Sequence, residues 1–359
     1  MAVTPQIIAA KLLAWYDRHA RSLPWRVPPN DGRRPDPYHV WLSEIMLQQT
    51  TVAAVGPYFE RFLTLWPTVE ALAAADDAAV MREWAGLGYY ARARNLLAAA
   101  RQVAGMGAFP ATESELRTLP GIGHYTAAAI AAIAFGEVAV VIDGNIERVT
   151  SRLFALPDVL PAGRARLAQA LAPHVPAKRP GDFAQALMDL GATICTPRKP
   201  LCPACPLSDG CAAHMADMPE SFPRKAARRP RPLKHGTAWW IEHRGRVALI
   251  RRPAKGLLGG MLALPGSEWA EGGGGGGGND LPAGPRWRLL EDGVRHGFTH
   301  FELELKVAVT ELVDLQSLPP GIEPIWTSRM DVGTAGLPTL FARAAELALA
   351  HQLPLLESA

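Results

Sequence analysis

The chain holds only four cysteines, Cys195, Cys202, Cys205 and Cys211, spaced C-x6-C-x2-C-x5-C. Thiolates crowded into so short a segment suit a metal centre. A [4Fe-4S] cluster and a four-cysteine zinc site are both chemically reasonable, and the spacing by itself leans to neither. A disulfide framework would instead distribute its pairs along the chain. Between the first two cysteines lies Thr196-Pro197-Arg198-Lys199-Pro200. A loop pinned by a metal would present Arg198 and Lys199 rigidly to a phosphate, and without one this is an ordinary solvated basic loop.

Two carboxylates stand in contrasting environments. Glu44 has Val40, Trp41, Leu47 and Gln48 as its helical neighbours, three of them apolar, so its carboxyl is expected to lose water. Desolvation disfavours the ion and raises the pKa, which suits a general acid near neutral pH, although a glutamate at the edge of a core gives the same pattern. Asp143 emerges from a Val/Ile run into Gly144-Asn145 and precedes a helical pattern. At a helix N-cap its anion is expected to be favoured and its pKa held low. One carboxylic acid and one carboxylate together suit cleavage of a glycosidic bond through an oxocarbenium-like state.

A third feature lies between them. Gly121 and Gly123 flank Ile122 just before an alanine-rich helical segment, so a tight turn is expected to expose the N–H groups of a helix N-terminus, a grip for phosphate that needs no charged side chain. Between Lys11 and Lys178 there is no lysine. An amine nucleophile forming a Schiff base is therefore not expected here, and cleavage should use water.

These residues need elements to position them. The 359 residues predict two domains or three, with length enough for real cores. A net charge of +3 permits a polyanionic partner without demanding one. The apolar stretches fall short of a membrane span, which implies a soluble, untargeted cytoplasmic protein. Thr4-Pro5 predicts an opening helix with Ile8, Leu12 and Trp15 on one face, and Asp36-Pro37 starts another through Glu44. Helical patterning continues to about Ala213. Ser221 to His235 is rich in Arg, Lys and Pro and reads as an exposed linker. After it Thr237–His243, Arg246–Arg251 and the alternation from Phe301 to Val309 predict strands, Gly272–Gly278 a floppy loop, and Leu337–Leu349 a closing helix.

Together these residues resemble the helix-hairpin-helix DNA glycosylases of the endonuclease III superfamily, and among them the MutY-type adenine DNA glycosylases. The resemblance is carried by Leu23-Pro24-Trp25-Arg26, by Trp41 to Thr50, by Leu87-Gly88-Tyr89-Tyr90, by Leu119 to Gly123, by Val141 to Asn145 and by the cysteine spacing. It implies an all-α helix-hairpin-helix glycosylase domain with an iron–sulfur cluster loop at 1–220, a basic linker at 221–236, and an α+β Nudix-like domain at 237–359. Cys195, Cys202, Cys205 and Cys211 are then ligands of a [4Fe-4S] cluster with a structural, DNA-positioning role. The implied activity is monofunctional excision of adenine mispaired with 8-oxoguanine or guanine in double-stranded DNA, after extrusion of the base. Glu44 would protonate the adenine, Asp143 stabilise the sugar cation, and Tyr125 and Asn145 support them. Trp25 and Arg26 match residues of the substrate site. Gln49, Leu87 and Tyr89 match residues that enter the helix beside the flipped nucleotide.

Phe298-Thr299-His300 falls where the family carries a Phe-Ser-His loop that senses 8-oxoguanine; threonine here keeps the hydroxyl and adds a methyl. The resemblance implies a monomer acting on DNA, at the nucleoid if the source is a bacterium. Gly259-Gly260 and Leu264-Pro265-Gly266 give some likeness to a working Nudix hydrolase. No Arg-Glu-x-x-Glu-Glu run follows to hold a divalent metal, so the domain reads as a recognition module. Two other functions fit less well: a superfamily member acting on oxidised pyrimidines, disfavoured by Tyr125 and the extra domain, and a non-catalytic iron–sulfur DNA-binding or redox protein, disfavoured by Glu44 and Asp143.

Overall fold

A computed structural model describes residues 5–227, 230–253, 256–271 and 281–351. The expected cap at Thr4 and the glycine run from Gly272 to Gly278 lie outside the described residues. The chain divides into two compact units, residues 1–75 with 95–228 and residues 76–94 with 229–359. This departs from the sequence-based division, because an excursion of the helical half belongs with the C-terminal unit.

The first unit is helical. Its elements are α1 Pro5–His19, α2 Pro37–Leu47, α3 Val52–Leu65 and α4 Val69–Ala73, then, after α5 Asp77–Glu83 in the other unit, α6 Ala91–Met106, which joins this unit from Asn95 on, and α7 Glu113–Leu116. They continue with α8 His124–Ile130, α9 Gly144–Leu153, α10 Arg164–Leu171, α11 Pro180–Thr193 and α12 Ala212–Met215. The start of α2 has a local cause. Asp36 caps α2 by accepting from the Tyr38 N–H, and Pro37 occupies the first turn, where its missing donor costs nothing. Along α2 Val40, Trp41, Leu42, Ile45 and Met46 are all buried, so this helix runs through the interior and carries Glu44 with it.

α8 is alanine-rich because both its faces are covered. It continues as a π-helical turn over Ala131–Phe135 that ends at Gly136 with φ 75°. α11 crosses this turn at backbone contact: a Cβ on Gly181 would lie 2.6 Å from the Ala132 carbonyl oxygen and 2.7 Å from the Ile133 Cα. One core of the unit gathers Leu12 and Tyr16 of α1, Ala129 of α8, Ile146 of α9 and Phe183 and Leu187 of α11.

The second unit is built on a seven-stranded sheet comprising β1 Leu233–His243, β2 Arg246–Arg251, β3 Leu262–Ala263, β4 Ala270–Glu271, β5 Arg288–Gly297, β6 Glu302–Glu311 and β7 Ile325–Ser328. The main path runs β3-β2-β1-β6-β5, with β4 on β1 and β7 on β2. β1 starts at Leu233, inside the segment read as linker, because Leu233 pairs in parallel with Glu302 at the head of β6. The turn between β1 and β2 is Arg244-Gly245, both at positive φ as a tight hairpin requires. α13, Thr339–Ala350, packs on the sheet through Leu340, Phe341 and Ala344. No helix among the described residues is long and apolar enough to cross a membrane.

Gly181→Ala tests the backbone crossing. Overpacking there should cost about 1–3 kcal/mol, read as a lowered thermal unfolding midpoint; an unchanged midpoint would show that α11 does not bear on the π-helical turn.

Candidate active site and iron–sulfur loop

A cleft of about 1140 Å³ opens in the first unit and is lined by Trp25, Glu44, Gln48, Tyr125, Asp143 and Asn145, among others. α2, α8 and the start of α9 each bring polar groups to it. At the upper end of ligand-site volumes, it has room for a nucleotide.

Glu44 is only 5% exposed. The Tyr125 hydroxyl donates to its Oε2 over 2.6 Å. Burial pushes the Glu44 carboxyl up to about 7, partly opposed by that hydrogen bond and by Arg26, and reinforced by the charge of Asp143. Tyr125 itself is pushed well above the ordinary tyrosine range, first by burial and then by the Glu44 charge, so it stays a donor. With Oε2 engaged as an acceptor, the proton of neutral Glu44 resides on Oε1. A proton donor near neutral pH is thus fixed in orientation.

Asp143 caps α9: Oδ1 accepts from the Ile146 N–H at 2.6 Å and Oδ2 from the Asn145 amide at 3.0 Å. The cap expected from sequence is present, but the expected low pKa is not. Burial raises the Asp143 carboxyl, outweighing the helix N–H groups, Asn145 and Arg148, all of which act to lower it. The helix end was legible, whereas the loss of water on the cleft side depends on how other elements close over it.

From Asn145 the contacts run on into the cysteine loop. Arg148 donates to the Asn145 Oδ1 at 3.0 Å, to the Gly191 carbonyl at 2.6 Å and to the Cys195 carbonyl at 2.7 Å. One turn later Arg152, 2% exposed, donates to the carbonyls of Thr196 and Pro197 and of Phe222 and lies 3.3 Å from the Cys195 sulfur. Neither arginine stood out in the sequence. The signal was their i, i+4 spacing behind Asp143; their partners are backbone carbonyls, which leave no trace in residue types. Asp189 was also missed. Fully buried on α11, it receives Arg26 at 2.8 Å and Arg21 at 2.6 Å. Arg26 thus ties the cleft wall to α11 through one terminal nitrogen while it still lines the cleft, where the sequence suggests substrate.

The four thiols fit a cluster. Cys195, Cys205 and Cys211 pack against the core that holds α9 and α11, with Cys195 and Cys211 beside Arg152. Cys202, half-buried, opens the short 3-10 turn Cys202–Ala204 that leads to Cys205, whose N–H donates to the Cys202 carbonyl at 3.1 Å. Burial pushes the Cys205 thiol up to about 12, and raises Cys202 and Cys211 as well. Held thiolates there require a strongly positive partner. Among the described residues no three His, Cys, Asp or Glu side chains converge as around a single ion. When bound, the cluster supplies a structural cross-link of the loop. The loop tip is exposed at Arg198 and Lys199, with Lys199 at φ 47° and its N–H donating to Glu220.

The hairpin turn is as expected. Gly121 has φ 76° and a Cβ there would meet the Asn95 side chain at 2.7 Å; Gly123 is the N-cap of α8, without a side-chain cap. Trp25 lines the cleft edge-on to Phe59. Gln49 is exposed, at φ 60°.

Leu87 and Tyr89 belong to the second unit. Leu87 is 5% exposed and packs inward, so it does not stand out as a wedge must, whereas Tyr89 is half exposed at φ 48°. Arg92 shapes this loop by donating to the Leu87 and Gly88 carbonyls. In the same unit the β5–β6 turn holds Phe298 inward, stacked 5.7 Å from Trp269, and leaves Thr299 and His300 exposed.

The helical fold, the buried acid and the cysteine loop define a class, the base excision glycosylases. Comparison with known proteins agrees: the family of HhH-GPD superfamily base excision DNA repair proteins matches residues 42–173, the iron–sulfur binding domain of endonuclease III residues 195–211, and the NUDIX domain residues 237–347. The adenine DNA glycosylase of Homo sapiens is 35% identical over 91% of this chain and 71% of its own length. That of Arabidopsis thaliana is 40% identical over 72% of this chain and 47% of its own. A solved thermostable thymine-DNA glycosylase superposes with a TM-score of 0.53 at 29% identity, covering 59% of this chain and 97% of the other. The chain belongs to the adenine DNA glycosylase family. It is a DNA glycosylase with a [4Fe-4S] cluster, and the matched iron–sulfur binding domain spans the four cysteines.

Base release measured in single turnovers should fall about tenfold per pH unit above about pH 7, as Glu44 loses its proton, and fall again in acid, where Asp143, whose carboxyl burial raises, takes one up. Because the folded Glu44 value is raised, stability is lost as pH rises from the unfolded value through about 7. Glu44→Gln should therefore gain about 3 kcal/mol over the parent near pH 8 and little near pH 4.5 in denaturant titrations. Separately, a Cβ on Gly191 would lie 2.6 Å from the Asn145 Cβ. Gly191→Ala should displace Asn145 from Asp143 and slow base release by about a hundredfold with iron content retained.

Proposed function

We propose that this chain removes adenine mispaired with 8-oxoguanine or guanine in duplex DNA, as a monofunctional monomeric glycosylase. The observation that carries the reading is the neutral Glu44 carboxyl, fixed by Tyr125, in the same cleft as Asp143. The glycosidic bond cannot be reached within the stack, so the adenosine is extruded into the cleft. Glu44 gives its Oε1 proton to a ring nitrogen of the adenine. The C–N bond then breaks with its electron pair going to the base, and the sugar cation forms against the Asp143 carboxylate, held by Asn145. Water adds to that carbon and its proton passes to a carboxylate.

Among the described residues no lysine lines the cleft, which supports release of the abasic product without a Schiff base. The exposed turn at Gly121 and Gly123 suits a grip on the DNA backbone, with Arg198 and Lys199 as a second hold. Gln49 and Tyr89, each exposed at positive φ in its own unit, would enter the DNA helix. Residues 237–359 would read the opposite base, with Thr299 and His300 as the contacts and Phe298 as their support. The enzyme would work wherever the chromosome lies in its cell, at the nucleoid in a bacterium.

The test is base release from duplexes carrying adenine opposite 8-oxoguanine, guanine or thymine. Release from the first two is expected, and its absence would sink the reading. Glu44→Gln and Asp143→Asn should each abolish release while duplex binding survives, and borohydride should trap little covalent adduct.

A further inference from the structure

One charged pair of the cleft takes no part in this chemistry. Glu147 sits on α9 one turn beyond Asp143, whose backbone carbonyl accepts its N–H at 2.8 Å. Its side chain is 10% exposed, and its Oε1 accepts from the Nε of Arg164, the first residue of α10, at 2.5 Å. Both residues line the cleft that holds Glu44 and Asp143. Arg164 is 63% exposed.

The neighbouring cations are more enclosed. Arg148 is held by Asn145 and three carbonyls, while Arg21 and Arg26, 27% and 7% exposed against 63% for Arg164, are drawn to the fully buried Asp189. Glu147 takes only the Nε of Arg164, which leaves the two terminal nitrogens of a planar five-donor fork turned to solvent. A nearly buried carboxylate that holds a guanidinium by its inner nitrogen orients it without neutralising its outer edge.

Distance says what that edge meets. The Cβ atoms of residues four apart on a helix stand about 5–6 Å from one another, so Glu147 and the arginine it holds lie within a nucleotide's reach of Asp143. A nucleotide with its sugar at Asp143 must pass its flanking phosphates out of the cleft, at about that remove from the sugar's reacting carbon. We infer that Arg164 grips a phosphate flanking the extruded nucleotide, and that Glu147 is the positioning residue that aims it. This rests on the glycosylase reading of the cleft and adds to it a contact made only once the nucleotide is out of the helix.

The experiment measures affinity against salt concentration for two duplexes, one undamaged and one carrying a single tetrahydrofuran abasic-site analogue opposite guanine. Loss of one phosphate contact lowers the slope of log affinity against log salt by about 0.9. Arg164→Gln is expected to lose that slope on the tetrahydrofuran duplex alone, and Arg164→Lys to keep it. Glu147→Gln should narrow the ratio of affinities for the two duplexes, because the charge remains but is no longer aimed. An unchanged slope in Arg164→Gln overturns the inference, as does a lysine variant that loses as much as the glutamine one, since that marks a structural loss. A parent protein with no preference for the tetrahydrofuran duplex refutes the glycosylase reading instead.

Discussion

Taking the Glu44 carboxyl out of water is the constraint on which the catalytic unit depends. In solution a glutamate is ionised at neutral pH and has no proton to give. Here α2 runs through the interior, and its apolar neighbours remove the water that would stabilise the anion. One hydrogen bond from Tyr125 keeps the buried group oriented without restoring its ordinary acidity. The hairpin helix that supplies Tyr125 therefore shares in setting the acid, besides whatever it does for DNA.

The second carboxyl shows how such a site is kept from collapsing. Asp143 is also raised by burial, and its charge pushes the Glu44 carboxyl further up. Holding one of them as an anion falls to α9, through the Ile146 N–H and Asn145. Asn145 in turn is held by Arg148, and Arg148 by carbonyls of α11 and of the cysteine loop. α9 acts as a strut between the reacting centre and the cluster loop, which gives a structural reason for a redox-capable cofactor in an enzyme whose proposed reaction transfers no electrons. A buried arginine such as Arg152 is tolerable only because it meets several carbonyls and lies against a cysteine sulfur.

The C-terminal unit solves a different problem, holding a polar turn rigid. Trp269, Phe298 and Phe301 stack beneath the β5–β6 connection, and the Phe298 N–H donates to the Phe301 carbonyl. Gly236 makes this possible, since a Cβ there would strike the Trp269 ring at 2.4 Å. Thr299 and His300 are displayed on an aromatic base, much as Arg164 is displayed on Glu147.

Residue types and short-range spacing determined a good deal unaided: the helix starts at Pro5 and Pro37, the cap at Asp143, the glycine turn at Gly121, the hairpin at Arg244-Gly245 and the grouping of Cys195, Cys202, Cys205 and Cys211 as one metal-binding loop. All are matters of backbone preference or of ligand chemistry within a few residues, so they are written locally. The apolar neighbours of Glu44 even announced its raised pKa. What the sequence could not decide depended on partners far along the chain. The Asp143 carboxyl is raised because distant elements cover it, Arg26 is tied to Asp189 on α11, Leu87 turns inward, and β1 begins early because β6 offers it an edge. Burial and pairing are sums over neighbours that only the folded chain brings together, and a carbonyl that anchors an arginine is the same in every residue.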